Sequence, residues 1–312
     1  MTGSLPTPRP LDPTAAVEPA VLVLPAVTYE PPFDERRRWL DRLSIRAAYT
    51  IPGAESPLYL SEDGVAVTTT GLGKAPAATT VAALWCADGL DLDATTVISA
   101  GIAGAPPERA SLGSVFVADA VLDWDRKHRW DPDEVADAES ADDQGDGPVT
   151  VEPLAYEPEG SLHEPDPTLV ERAREATSGL ELHVNERVRA FQDRYPAAPD
   201  HGPRTGAGPT ITSDEFWHGT SVAREVESLC AAYGIDPYVT TQMEDAATAT
   251  ALARFDAADR YLSLRAVANY DRPAPDEHVH ESFEGTDASV DLAAENVARA
   301  GIGIVNDLLG LL

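Results

Sequence analysis

Six short stretches hold the residue types that could do chemistry. In residues 242–255, QMEDAATATALARF, a β-type run gives way to an Ala-rich amphipathic helix with Glu244 and Asp245 in its first turn. Carboxylates there sit beside unpaired backbone N–H groups, where they either complement the helix dipole or serve a ligand. Glu30 directly follows the wholly apolar run AVLVLPAV (20–27) and Tyr29. In open α/β sheets ligands bind beyond the carboxyl ends of strands, so an acid at that place is a candidate group and, equally, an ordinary loop acid. TSDEFWHG (212–219) places Ser213, Asp214, Phe216, Trp217 and His218 at the end of another strand. LRAVANYDRP (264–273) does the same for Asn269 and Asp271, although an Asn at such a point also caps turns. GLGKAPAA (71–78) and ISAGIAGAP (98–106) supply Gly-rich strand ends, with Gly101 and Gly104 in the second.

The elements that position these groups alternate along the chain. Residues 20–27 read as a strand buried on both faces, 34–43 as a short helix carrying Arg36, Arg37 and Arg38, and 58–60 with 65–70 as a hairpin around Asp63-Gly64. A helix over 75–88, a strand over 95–100 ended by GIAG, and a strand over 114–122 follow. Helical spacing covers 169–195, 219–233 and 287–312, with strands at 210–212, 238–241 and 261–268. This pattern predicts an α/β protein: a single domain over 20–312 with a central mixed, largely parallel sheet flanked by helices, preceded by a flexible arm over 1–19. Residues 123–167, dense in Asp, Glu, Pro and Gly, read as an acidic surface insertion or lid.

Composition excludes whole classes of function. The 312 residues contain 53 Asp and Glu against 23 Lys and Arg, a net charge of −30, with lysine only at 74 and 127. Nucleic acid and anionic membranes require basic residues to displace counterions, so neither is an expected partner. The acid is spread along a chain that is 43% hydrophobic, as in the cytosolic proteins of salt-loving microbes. At molar salt, where the Debye length is about 3 Å, such charge costs little self-repulsion. Cys86 and Cys230 are expected to be buried free thiols in a reducing, cytoplasmic compartment. No window approaches a membrane span, and the Pro-rich start lacks a signal-peptide core. GLGKAP fails both nucleotide-loop templates, Ser213, Asp214 and His218 lack the GxSxG setting of a triad, and His278 with His280 lacks further metal ligands, so no cofactor or metal is implied.

TSDEFWHG, the Met243-Glu244 pair and LRAVANYDRP together resemble the purine nucleoside permease family, itself similar to the nucleoside phosphorylases and nucleosidases; GLGKxxAA and SAGIAG are shared with that wider superfamily. The resemblance implies a nucleoside phosphorylase-like fold with a purine nucleoside pocket at the strand ends. It implies Glu244 on the ribose hydroxyls, Met243 beneath the ribose, Phe216 and Trp217 at the base, and Gly101 and Gly104 in the pocket wall. It implies Asn269 at the purine, with inosine or guanosine favoured over adenosine, and Asp271 as a reserve acid. Glu30 would be the water-activating base. The phosphorylases carry Arg and Ser around the motif that here reads Ser99-Ala100-Gly101-Ile102, so water is expected as the acceptor over phosphate. Relatives assemble as homo-oligomers. The permease name implies an alternative, nucleoside capture for uptake with a membrane partner.

Overall fold

The computed structural model describes residues 5–131, 134, 150–156, 160–235, 237–281, 283 and 285–311. In chain order its strands are β1 (Arg9–Pro10), β2 (Val21–Leu24), β3 (Ile45–Thr50), β4 (Leu58–Ser61), β5 (Val65–Val67), β6 (Thr96–Ala105), β7 (Val115–Val117), β8 (Val121–Asp123), β9 (Lys127–Arg129), β10 (Val151–Pro153), β11 (Leu162–His163), β12 (Thr205–Ala207), β13 (Thr210–Thr212), β14 (Thr240–Gln242) and β15 (Tyr261–Tyr270). Its helices are α1 (Glu35–Leu40), α2 (Lys74–Trp85), α3 (Pro167–Thr177), α4 (Glu186–Gln192), α5 (Thr220–Ala232), α6 (Asp245–Arg254) and α7 (Asp287–Leu308).

Thirteen strands form one mixed sheet in the order β1-β3-β4-β5-β2-β6-β14-β13-β8-β11, with β15 inserted against β6 and β7, and β12 against β7. Its centre, β5-β2-β6-β15, is parallel. Successive side chains of a strand point to opposite faces, and β2 shows the consequence. Val21 and Val23 join the core beneath α1, α3 and α7, whereas Leu22 and Leu24 join the core beneath α2 and α6. Covering both faces is why the strand reads as an unbroken apolar run.

β6 is longer than its sequence suggests. GIAG does not end it; the strand continues to Ala105, pairs with β15 along its length, and meets β14 only through Gly104 and Thr241. β15 carries a register shift between Val267 and Asn269, so Ala268 is the extra residue of a bulge. Bulges bend a strand and re-aim its side chains, and this one lies where the sheet opens toward a cavity. Three further elements depart from expectation. Residues 114–122 split into β7 and β8, the Gly/Pro-rich segment before 210 contains β12, and Arg9–Pro10 pairs with β3. Cys230 is buried, but Cys86 is exposed, because it caps the C-terminus of α2 and points away from the core. Residues 132–133, 135–149 and 157–159 of the acidic segment at 123–167 lie outside the described residues; in the rest of it, β9 and β10 pair with each other, and Asp123 and Trp124 are buried.

α7 begins with a reciprocal capping box between Thr286 and Ser289, and packs Val290, Val297, Ile304 and Val305 onto the sheet. Gly301 on this helix faces the fully buried Trp39; an added Cβ would fall 2.0 Å from the indole. Gly301→Ala gains about 1 kcal/mol of helix propensity but overpacks the core at a cost of about 1–3 kcal/mol. Overpacking should win, because the indole has no space into which to retreat. A lowered urea midpoint with unchanged m-value is the expected result, and an unchanged or raised midpoint would refute this account of the contact.

Candidate active site at the strand ends

A cavity of about 430 Å³ opens at the carboxyl ends of β2, β6, β14 and β15. Glu244, Met243, Asn269 and Asp271 line it, as do Phe216, Trp217 and Gly104. Glu30 and Gly101 are not among the lining residues. Glu30 is exposed on the bend after β2, in the loop that reaches α1. The acid that faces the cavity in its place is Glu35, the first residue of α1, which is 2% exposed. Its Oε2 accepts from the backbone N–H groups of Ala26 and Val27, and its Oε1 from that of Ile102 at 2.7 Å. Asp34 caps the helix through the N–H of Arg37, which fixes where Glu35 emerges.

Glu35 belongs to a buried cluster of three acids and one base. Arg265, in the middle of β15, gives Nε and Nη2 to Asp245 (3.0 and 2.6 Å) and Nη1 to Glu244 at 3.2 Å. Ser99 and Ser263 each donate a hydroxyl to Asp245 at 2.6 Å. Glu244 Oε1 accepts from the N–H of Gly73, so the glycine turn of GLGK holds a carboxylate. Neither acid caps its own helix. That work falls to Gln242, whose Oε1 accepts from the N–H groups of both Glu244 and Asp245. The dipole reading of the pair is therefore insufficient.

Electrostatics separate the three acids. Burial would raise Asp245, but the Arg265 guanidinium and the two serines overcome it and hold the carboxyl below its usual range. Burial pushes Glu244 up to about 7 against the pull of Arg265 and Gly73. It raises Glu35 as well, against the Ile102 amide and the Arg265 charge. Three buried acids around one guanidinium cannot all ionise cheaply, so near neutrality Glu35 and Glu244 are poised to hold a proton between them. Gly101, although outside the lining, makes this cluster possible. A Cβ on it would lie 2.8 Å from both Arg265 Nη1 and Glu35 Oε1.

The opposite end of the cavity is built by Asn269 and Asp271. Asp271 is 1% exposed and accepts from the Tyr238 hydroxyl at 2.5 Å and from Arg272 Nε at 2.7 Å. Burial nevertheless holds its carboxyl above the usual range. Trp217 is nearly buried and Phe216 about half-exposed, edge-on to Phe283, so the two rings form an apolar wall at the mouth. Lys74 pairs with Asp123 and Asp125, and its backbone N–H donates to Asp214, which ties the GLGK turn to the loop after β13. Ser213 donates to Asp125, so it forms no triad with His218. Arg37 and Arg38 pair with Asp41 and Asp291 and offer no anion site at the cavity. His278 and His280 are exposed neighbours, and no metal-ligand cluster exists among the described residues.

Sequence reasoning missed Glu35 and Arg265, and with them the ion pair of Asp245, yet one signal was present. Arg265 is a lone charge in the apolar strand YLSLRAVA, where an unpaired guanidinium is prohibitively costly. Such a residue demands buried carboxylates.

A mixed sheet with helices on both faces and a cavity at its strand ends places the chain in the α/β class. Solved structures agree on the fold. Futalosine hydrolase of Helicobacter pylori strain 26695 superposes with a TM-score of 0.59 at 18% identity, over 93% of this chain and 98% of that one. The 5'-methylthioadenosine/S-adenosylhomocysteine nucleosidase of Neisseria meningitidis gives 0.54 at 18% identity, over 95% and 100%. The purine nucleoside permease (NUP) family model matches residues 18–310, and the chain belongs to that family. A probable purine nucleoside permease of Schizosaccharomyces pombe is 29% identical over 259 residues, 77% of this chain and 74% of that protein. A purine nucleoside permease of Candida albicans is 28% identical over 300 residues, 88% and 72%. Among the described residues no helix is long and apolar enough to cross a membrane.

Proposed function

We propose that the cavity binds a purine nucleoside and cleaves its N-glycosidic bond with water. The observation that carries this reading is the placement of two buried carboxylates, Glu35 and Glu244, on one wall of a cavity whose far end holds Asn269 and Asp271. Glu244 accepts the ribose hydroxyls and Met243 packs beneath the sugar. Glu35 removes a proton from water as its oxygen bonds to C1′. The C1′–N9 electron pair leaves with the purine, which takes a proton from solvent, and the flanking rings hold the base. The transition state is oxocarbenium-like, so a nearby carboxylate stabilises it.

Phosphate fits poorly. The cationic side chain of the lining, Arg265, is already committed to Asp245 and Glu244, and a phosphate beside Glu35 and Glu244 would meet like charge. Ile102 adds no anion donor, since its N–H is already given to Glu35.

The test mixes the protein, in molar potassium chloride, with adenosine, inosine and guanosine, with and without phosphate, and follows free base by chromatography. Base released without phosphate is expected, together with loss of release in Glu244→Ala. Release that depends on phosphate refutes the water step. Binding that leaves every nucleoside intact supports the second reading, favoured by the permease relatives, in which the protein captures nucleosides for uptake through a membrane partner.

A further inference from the structure

Asn269 presents one end of its amide to the cavity, and its backbone neighbours decide which. Nδ2 donates to the carbonyl of Phe283 at 2.9 Å and to that of Tyr270 at 3.2 Å. An amide nitrogen has two hydrogens, and both are spent. Turning the amide over would press Oδ1 against two carbonyl oxygens, so the orientation is fixed by the main chain and is not a free choice. Oδ1 has no protein donor among the described residues, and Asn269 lines the cavity. Its neighbours in the wall, Ala103, Gly104 and Ala268, carry no side-chain donor. Thr241, across Gly104, has a hydroxyl that turns either way and so does not discriminate.

On the reading that a purine nucleoside lies with its base at the Asn269 end, we infer that the cavity selects 6-aminopurine nucleosides over 6-oxopurine nucleosides, because Asn269 offers a hydrogen-bond acceptor where the 6-substituent lies. An exocyclic amine donates to Oδ1. A 6-oxo group sets one acceptor against another and leaves both unsatisfied. The residue type alone points the opposite way, toward inosine or guanosine, since a free amide serves either partner. Spending both hydrogens on Tyr270 and Phe283 removes that freedom.

Adenosine, purine riboside and inosine form a graded probe: a donor, no group, and an acceptor at the same carbon. In molar potassium chloride, kcat/KM for base release, or Kd by calorimetry if the nucleosides survive, should fall in that order. Adenosine is expected to lead inosine by at least about tenfold, the ratio that one such hydrogen bond supports. Asn269→Ala should bring the three together while all still bind, and the substrate series stands by itself if that variant fails to fold. Inosine equal to or better than adenosine overturns the inference and leaves the nucleoside site intact. If none of the three binds, the nucleoside reading falls, and this inference with it.

Discussion

Glu35→Gln should lower the rate of base release by about 10²–10⁴-fold, the usual worth of a positioned general base, with much less effect on nucleoside affinity. Gln keeps the shape and accepts from Ile102 through its carbonyl, but its amide nitrogen must face the N–H groups of Ala26 and Val27, or the reverse. A modest loss of stability is therefore expected beside the loss of turnover. The pH profile separates the two effects. In the native protein, turnover needs Glu35 ionised, and burial raises its carboxyl, so kcat/KM should fall on the acid side of neutrality. Glu244, at about 7, is a second raised carboxyl beside the same guanidinium, so the acid limb belongs to the pair. The residual activity of Glu35→Gln should lose most of that limb. Glu30→Gln is the control. Glu30 is exposed and outside the cavity, so its variant should turn over as the native protein does. Full activity in Glu35→Gln with loss in Glu30→Gln would return the base to the loop.

Arg265→Met should cost about 3–5 kcal/mol, because it removes the one guanidinium that Glu244 and Asp245 share and leaves buried charge uncompensated. High salt cannot compensate, since Arg265 is 2% exposed and ions do not reach it. The sign of the pH dependence follows from the two acids. Glu244 is raised to about 7 in the folded protein, above an unfolded value of about 4.3. Its contribution to stability is fully present below the unfolded value and is lost as pH rises through about 7. Asp245 behaves oppositely. Its lowered carboxyl contributes stability above the unfolded value, about 3.9, which is lost as pH falls through the folded one. Without Arg265 both carboxyls rise, so both favour acid. The deficit of Arg265→Met, measured by urea unfolding in molar potassium chloride, should therefore be largest near pH 8 and shrink toward pH 5. A deficit that is small, or constant across this range, means that the guanidinium does not neutralise the cluster.

The sequence by itself determined the α/β architecture and most of its elements. The alternation of apolar runs with helical spacing set β2, α2, β13, α6, β15 and α7 near their true places, because burial on one or two faces imprints a local period. It also brought Glu244, Asn269 and Asp271 forward, since each stands at a strand end next to a helix or turn. Tertiary structure alone decided which polar atoms meet. Glu30 and Glu35 lie in the same loop-to-helix segment, and the backbone N–H groups of Ala26 and Val27, just past β2, and of Ile102, in β6, draw Glu35 inward. Asp245 reads as half of a dipole pair until Arg265 reaches it from a neighbouring strand. Asn269 could offer either end of its amide until the carbonyls of Tyr270 and Phe283 claim its hydrogens. Local pattern reports how far a side chain is buried; direction and charge are set by atoms that only folding brings within hydrogen-bond reach.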